Sequence, residues 1–266
     1  MTTKILRNTR NNLLPLHLNP AHNFAANHTM HIYKSNAVYT FIPKNACSTM
    51  RLSIALNNGA IRNASEHNWI HKNNTTWKPS LKEILTANYS FIILRCPFKR
   101  LASVFLDKIV SKEINLWNLY ELSNRTINMD AISFSEFVKM ITKEMYINTD
   151  IHWRPQVHFL LYDVYDDYFA FERFHKIKST LADKIDFNIT DARAHLRHDT
   201  GIYTKIMEGD FSNTSAAEIA QIKRGGYCPD HSTLYTEELF DIVEKAYHPD
   251  IGLYKNKCGK ENILVL

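Results

Sequence analysis

What the sequence lacks narrows it first. No stretch of the 266 residues is apolar for long enough to cross a bilayer, and residues 1–28, with Arg7, Arg10 and many asparagines, hold no apolar core of signal-peptide length. The four cysteines, Cys47, Cys96, Cys228 and Cys258, form no C-x-x-C pair and no zinc-type Cys/His spacing, and no carboxylate cluster suggests a metal. In a chain this long a disulfide framework is not expected either. The net charge of +5 favours anionic ligands, but no basic stripe of the kind that reads nucleic acid gathers it. The loop G-x-x-x-x-G-K-[ST] of nucleotide-binding enzymes is missing. So are internal repeats and Gly/Ser linkers. These absences lead us to expect a soluble, cytoplasmic protein with an irregular arm over residues 1–30 and one domain over residues 31–266. Three N-x-[ST] triplets, at Asn63, Asn88 and Asn124, read as coincidence in so Asn-rich a chain.

What is present begins with Val38-Tyr39-Thr40-Phe41-Ile42-Pro43-Lys44-Asn45-Ala46-Cys47-Ser48-Thr49-Met50-Arg51. Residues 38–42 have strand composition, Pro43 stops the run, and Ser48 and Thr49 favour a helix start. A helix N-terminus presents unpaired N–H groups and the positive end of the macrodipole, so an anion is favoured there, with Lys44 adding a full charge. Residues 89–95 are nearly continuously apolar, as in a central parallel strand, and Pro97 opens a helix with Leu101, Val104, Phe105 and Leu106 on one side. Arg95, at the end of that strand, suits a bidentate grip on phosphate, and Ser103 lies two turns into the helix. Strand, helix, loop, helix, strand, helix is the order of an α/β fold with a mainly parallel central sheet and helices on both faces.

Further along, residues 80–87 read as a helix with Leu81, Ile84 and Leu85 on one side. Ser133 and Glu136 form a capping box opening a helix to about residue 146. Residues 157–174 suggest two short strands, residues 186–211 look loop-rich, and a last helix covers residues 236–247, ending before Pro249.

The segment P-K-N-A-C-S-T resembles the 5′-phosphosulfate loop of the carbohydrate sulfotransferases, the group of the chondroitin and heparan enzymes. Arg95-Cys96-Pro97-Phe98-Lys99-Arg100-Leu101-Ala102-Ser103-Val104-Phe105, continuing into Asp107-Lys108, resembles their 3′-phosphate motif. His152-Trp153-Arg154-Pro155-Gln156, Tyr162-Asp163, residues 169–174, Leu234-Tyr235 and residues 246–250 are similar to further blocks of the same group. The resemblance implies a P-loop-like sulfotransferase fold and transfer of a sulfuryl group from 3′-phosphoadenosine 5′-phosphosulfate to a hydroxyl of a glycan or other acceptor, without a metal. It gives Lys44, Asn45, Ala46, Cys47, Ser48 and Thr49 to the 5′ end of the donor and Arg95 and Ser103 to its 3′-phosphate. Which of Cys47, Ser48 and Thr49 meets the sulfate is left open. It brackets the catalytic base between the motifs, at His71 or His67, with Glu66 and Glu83 as other candidates. His152 and Arg154 fall to the acceptor, with Lys99, Arg100, Lys108 and Lys223-Arg224 as a basic cleft or a solvated face, and Gly225-Gly226 as a mobile loop over the nucleotide. Two rival readings are an ATP-dependent kinase, which the missing Walker glycines oppose, and an inactive nucleotide or glycan binder on the same fold.

Overall fold

A central sheet in the order β1-β2-β3-β4 organises the computed structural model, which describes residues 3–9, 13–73, 75–191 and 202–265, without the side chain of His71. The chain divides into two compact units, Met1–Arg95 with Gln156–Arg197, and Cys96–Pro155 with His198–Leu266.

The first unit holds the sheet. Strands β2 (Ala37–Thr40), β3 (Tyr89–Leu94) and β4 (Asp167–Ala170) are parallel, with Tyr39 facing Phe91 and Leu94 facing Ala170 in register. Strand β1 (Thr29–Ile32) pairs antiparallel with β2. Every residue of β2 and β3 is buried, so both faces are covered, which explains their unbroken apolar character. On one face Tyr39, Phe91 and Ile93 pack with Met50 and Ile54 of helix Cys47–Asn57 and with Ile177 and Leu181 of helix Phe174–Ile185. On the other, the Thr40 and Tyr165 hydroxyls meet at 2.8 Å and the Tyr162 hydroxyl donates to the Ile84 carbonyl of helix Leu81–Thr86 at 2.8 Å. The expected mixed α/β fold with a mostly parallel central sheet is present.

The second unit is mainly helical. Helix Pro97–Val104 begins on its proline and passes into a π-turn over Phe105–Ile109, and helices Phe134–Ile141 and Ala216–Arg224 both start with Ser/Glu capping boxes. Aromatic pairs fill it: Phe98 stacks on Phe240 at 4.0 Å, and Phe105 lies edge-on to Phe134 at 5.4 Å. Two short parallel strands, β5 (Thr204–Ile206) and β6 (Tyr227–Pro229), pair only with each other among the described residues.

Several local expectations are corrected. Residues 1–30 are not wholly irregular, because Asn19 accepts from the His22 N–H and caps helix Pro20–Asn27. Leu81 is exposed, being the first residue of its helix. The helix opened by Ser133 stops at Ile141, and a separate turn, Glu144–Ile147, follows. Only one strand, β4, forms between residues 157 and 174. Helix Glu237–Ala246 ends before Pro249 as expected, but it is not the last: Pro249 lies in the first turn of a further helix, His248–Cys258, where a missing N–H is harmless. Part of the loop-rich stretch, residues 192–201, lies outside the described residues.

Candidate functional site

Beyond β2 the chain cannot continue as a ladder strand, since Pro43 has no N–H to donate. It turns instead through Lys44 (φ 70°) and Ala46 (φ 60°), both in the left-handed region. For residues with a Cβ each such conformation costs about 1–2 kcal/mol, so it persists only where neighbours enforce it. The enforcing residue is Asn45, fully buried between them. Its N–H donates to the Ile42 carbonyl at 3.1 Å, and its side-chain amide donates to the Ile93 carbonyl at 2.9 Å and to Gln156 Oε1 at 2.7 Å.

Helix Cys47–Asn57 begins immediately after. Ala46 occupies the cap position and has no side-chain oxygen to offer, so no capping hydrogen bond forms. The first helical bond runs from the Met50 N–H to the Ala46 carbonyl at 3.0 Å. The amides of Cys47, Ser48 and Thr49 therefore lack partners within the helix, at the positive end of its dipole. Ser48 and Thr49 are half-buried first-turn residues, not caps. An uncapped N-terminus in a preset turn led by a lysine suits a tetrahedral oxyanion.

Arg95 follows directly on β3 and is 8% exposed. Its Nη1 donates to the Lys44 carbonyl at 2.8 Å, and its guanidinium lies 4.5 Å from the centre of the Phe171 ring. Gln156 fixes its backbone from both sides: Oε1 accepts from the Arg95 N–H at 3.1 Å, and Nε2 donates to the Arg95 carbonyl at 2.9 Å. One buried amide thus ties the turn to the end of β3. Sequence reading placed Gln156 only as the last letter of the H-W-R-P-Q block. Its one visible signal was an uncharged polar residue beside an apolar run.

The remaining candidates are more scattered. His67 is half-buried at the end of the short turn Ala64–Glu66, its N–H donating to Ala64 at 3.2 Å. His71 falls within helix Trp69–Lys72, and its side chain lies outside what is described. Glu66 is exposed and accepts from the Arg62 N–H at 3.3 Å. Glu83 is already engaged: it accepts from the N–H and hydroxyl of Ser80 and sits 3.2 Å from His31. The Ser80 hydrogen bonds hold its carboxyl below the usual carboxylate value, which suits a capping anion better than a base.

In the second unit Ser103 is buried within helix Pro97–Val104. His152 Nδ1 and the His152 N–H each lie 2.7 Å from Asp150 Oδ1, and the Asn115 amide donates to Asp150 Oδ2 at 2.7 Å. Burial pushes the Asp150 carboxyl up, but these bonds and the charge of His152 outweigh it and hold it below its usual value. Arg154 donates to the Asn148 carbonyl, and burial lowers its affinity for the proton. The notion of a basic cleft needs correction at two positions. Arg100 is buried, donating to the carbonyls of Arg154 (2.9 Å) and Ile151 (3.1 Å). Lys223 donates to the Leu106 carbonyl at 2.8 Å, so neither is a solvated surface charge. Gly225 and Gly226 form the turn after helix Ala216–Arg224, with Gly226 at φ 85°.

No curated protein and no solved structure matches the chain. The model of the Sulfotransferase family matches residues 27–257, a span that includes the strained turn, Arg95 and the Gln156 amide. With most of its length inside that match, the chain belongs to the sulfotransferase family.

Proposed function

We propose that this sulfotransferase moves a sulfuryl group from 3′-phosphoadenosine 5′-phosphosulfate to a hydroxyl, in a glycan or a similar acceptor. The supporting observation is the 2.8 Å hydrogen bond from Arg95 Nη1 to the Lys44 carbonyl, which puts the lysine-led turn and the strand-end arginine side by side at the carboxyl ends of β2 and β3. In open α/β sheets ligands bind at that edge. The two motifs are then neighbours on one donor. Residues 31–266 act as a single sulfotransferase domain in this reading, supported by a family match that runs across both compact units.

The acceptor oxygen attacks sulfur while the bond from sulfur to the bridging phosphate oxygen breaks in line, leaving adenosine 3′,5′-bisphosphate. Lys44 stabilises the charge growing on the leaving oxygen. The amides of Cys47, Ser48 and Thr49, with the Ser48 and Thr49 hydroxyls, hold the 5′ group. Asn45 and Ala46 serve by setting the turn. Arg95 takes the 3′-phosphate, and Ser103 keeps the role its motif implies. A histidine, His71 or His67, removes the acceptor proton, a contribution of about 10²–10⁴ in rate. His152 and Arg154 belong to acceptor recognition. No metal enters the scheme.

Thermal unfolding with adenosine 3′,5′-bisphosphate and with ATP tests the donor. The bisphosphate should raise the midpoint and ATP should not, and Arg95→Ala should abolish the shift. Stabilisation by ATP alone would favour a kinase. Binding with no labelled product from any acceptor pool would favour an inactive binder.

A further inference from the structure

In the helical unit three side chains from two stretches of chain close on one another around an imidazole. Asn115, buried in helix Ile114–Leu122, donates to Asp150 Oδ2 at 2.7 Å, and Asp150 Oδ1 lies 2.7 Å from both His152 Nδ1 and the His152 N–H. The Asp150 side chain is 13% exposed, so its carboxylate has left most of its water and depends on these three donors. Burial pushes the carboxyl up, yet the bonds and charge of His152 hold it below its usual value, so near neutral pH it is an anion and can only accept. Nδ1 therefore carries the hydrogen of the neutral ring, and the lone pair falls to Nε2. Were Nδ1 bare, it could accept from the Asn115 amide 3.1 Å away, but its lone pair would then face a charged oxygen at 2.7 Å.

The backbone that carries the ring is pinned as well. The Arg154 N–H donates to the Asp150 carbonyl at 2.9 Å, the Trp153 indole N–H to the Tyr146 carbonyl at 3.0 Å, and the Tyr247 hydroxyl to the Trp153 carbonyl at 2.7 Å. Asp150 spends its hydrogen-bonding capacity inside this cluster. Nε2 does not: it has no hydrogen bond among the described residues, and the His152 side chain is 21% exposed, so a ligand reaches it. A cluster built only to fill the core would have paired that nitrogen or sealed it. A fixed lone pair open to solvent is instead an acceptor set ready for a donor, with little ordering left to do on binding.

We infer that Asp150 and Asn115 are positioning residues for the acceptor: they hold His152 as the Nδ1–H tautomer, with Nε2 accepting a hydrogen bond from an acceptor hydroxyl. This rests on the assignment of His152 to the acceptor above. It also sets a specificity, because an O-alkylated or carboxylate group at that point brings only lone pairs to meet another.

Two measurements test it. In long-range nitrogen–proton spectra of protein labelled in its histidine rings, taken in alkaline buffer where imidazoles are neutral, the signal lost in His152→Ala should be that of an Nδ1–H tautomer. Asp150→Ala should turn it to the Nε2–H form, and Asn115→Ala should do so in part. With labelled donor and a pool of unsulfated neutral oligosaccharides, Asp150→Ala should raise acceptor KM about tenfold or more while donor KM holds, and Asp150→Glu should recover part of the loss. The double variant Asp150→Ala/His152→Ala should be no worse than His152→Ala, since Asp150 acts through the ring. A merely structural role would lower thermal midpoints and leave tautomer and acceptor KM alone. The inference is overturned by an Nε2–H ring in the wild type, by an unchanged tautomer or acceptor KM in folded Asp150→Ala, or by additive losses in the double variant. Should Asp150→Ala not fold, Asn115→Ala carries the same readings. A wild type that transfers nothing to the pool counts against the function proposed above, and the tautomer spectra, which need no turnover, then decide this inference.

Discussion

Residues 43–46 and the strand end at Arg95 lie one hydrogen bond apart, yet they are held in different ways. The turn keeps two non-glycine residues in left-handed conformations, against their own preference, and offers backbone amides at an uncapped helix start. Arg95 continues an ordinary strand and is fixed by hydrogen bonds at its N–H, its carbonyl and its guanidinium. The contrast fits a division of labour. Groups that face a changing charge distribution are best preset by a rigid backbone, whereas a phosphate that does not react needs only a well-aimed fork. Gln156 serves both, since its single Oε1 accepts from Asn45 and from Arg95.

Removing the charge at the turn should give the largest effect. Lys44→Ala should lower kcat by about 10²–10³-fold, while the thermal shift with adenosine 3′,5′-bisphosphate remains. If binding and turnover fell together, Lys44 would be a ground-state anchor like Arg95 and the contrast would vanish. Breaking the shared amide comes next. Gln156→Leu leaves one Asn45 amide hydrogen and both backbone groups of Arg95 unpaired, a loss of roughly 3 kcal/mol or more at about 1–3 kcal/mol for each buried unpaired group. Urea midpoints measure it, and donor KM should rise more than acceptor KM.

Smaller changes sharpen the comparison. Ala46→Gly should leave stability within about 1 kcal/mol, because relief of the left-handed strain opposes the greater freedom of the unfolded chain. Ala46→Val, β-branched at the same φ, should destabilise clearly in the same urea titration. Last is an acid effect remote from the turn. Because the folded Asp150 carboxyl is held low, its stabilisation is complete above its unfolded value near 3.8 and is lost as pH falls through the lower folded value. Thermal midpoints measured below about pH 5 should therefore fall less steeply in Asp150→Asn than in the wild type.

Much of this architecture was written locally. The apolar run that became β3, the helix opening at Ser80, the capping box at Ser133, and the placement of both motifs at strand ends all depend on neighbouring residues, and local rules read them. The helix at Pro20–Asn27 also had local signals, an Asn cap followed by Pro, but the polar His-Asn composition outweighed them in the reading. Helix His248–Cys258 went unread because a proline after one helix and a proline opening the next look alike in one dimension. Gln156 was opaque for a different reason. Its partners lie 111 residues away at Asn45 and 61 away at Arg95, and no periodicity records a pairing across such distances. Arg51 and Phe41 were in plain view within the first motif, but the packing of one on the other is visible only in three dimensions.

That same span sets an order of events during synthesis. A ribosome that has emitted residues 37–95 has released the material for two strands, the turn and the arginine, but not the amide that closes them together. The nascent chain must wait for residue 156, and for β4 shortly after it, before the turn can settle into its disfavoured shape. Any fragment cut short of that point lacks the one amide that ties the turn to the end of β3.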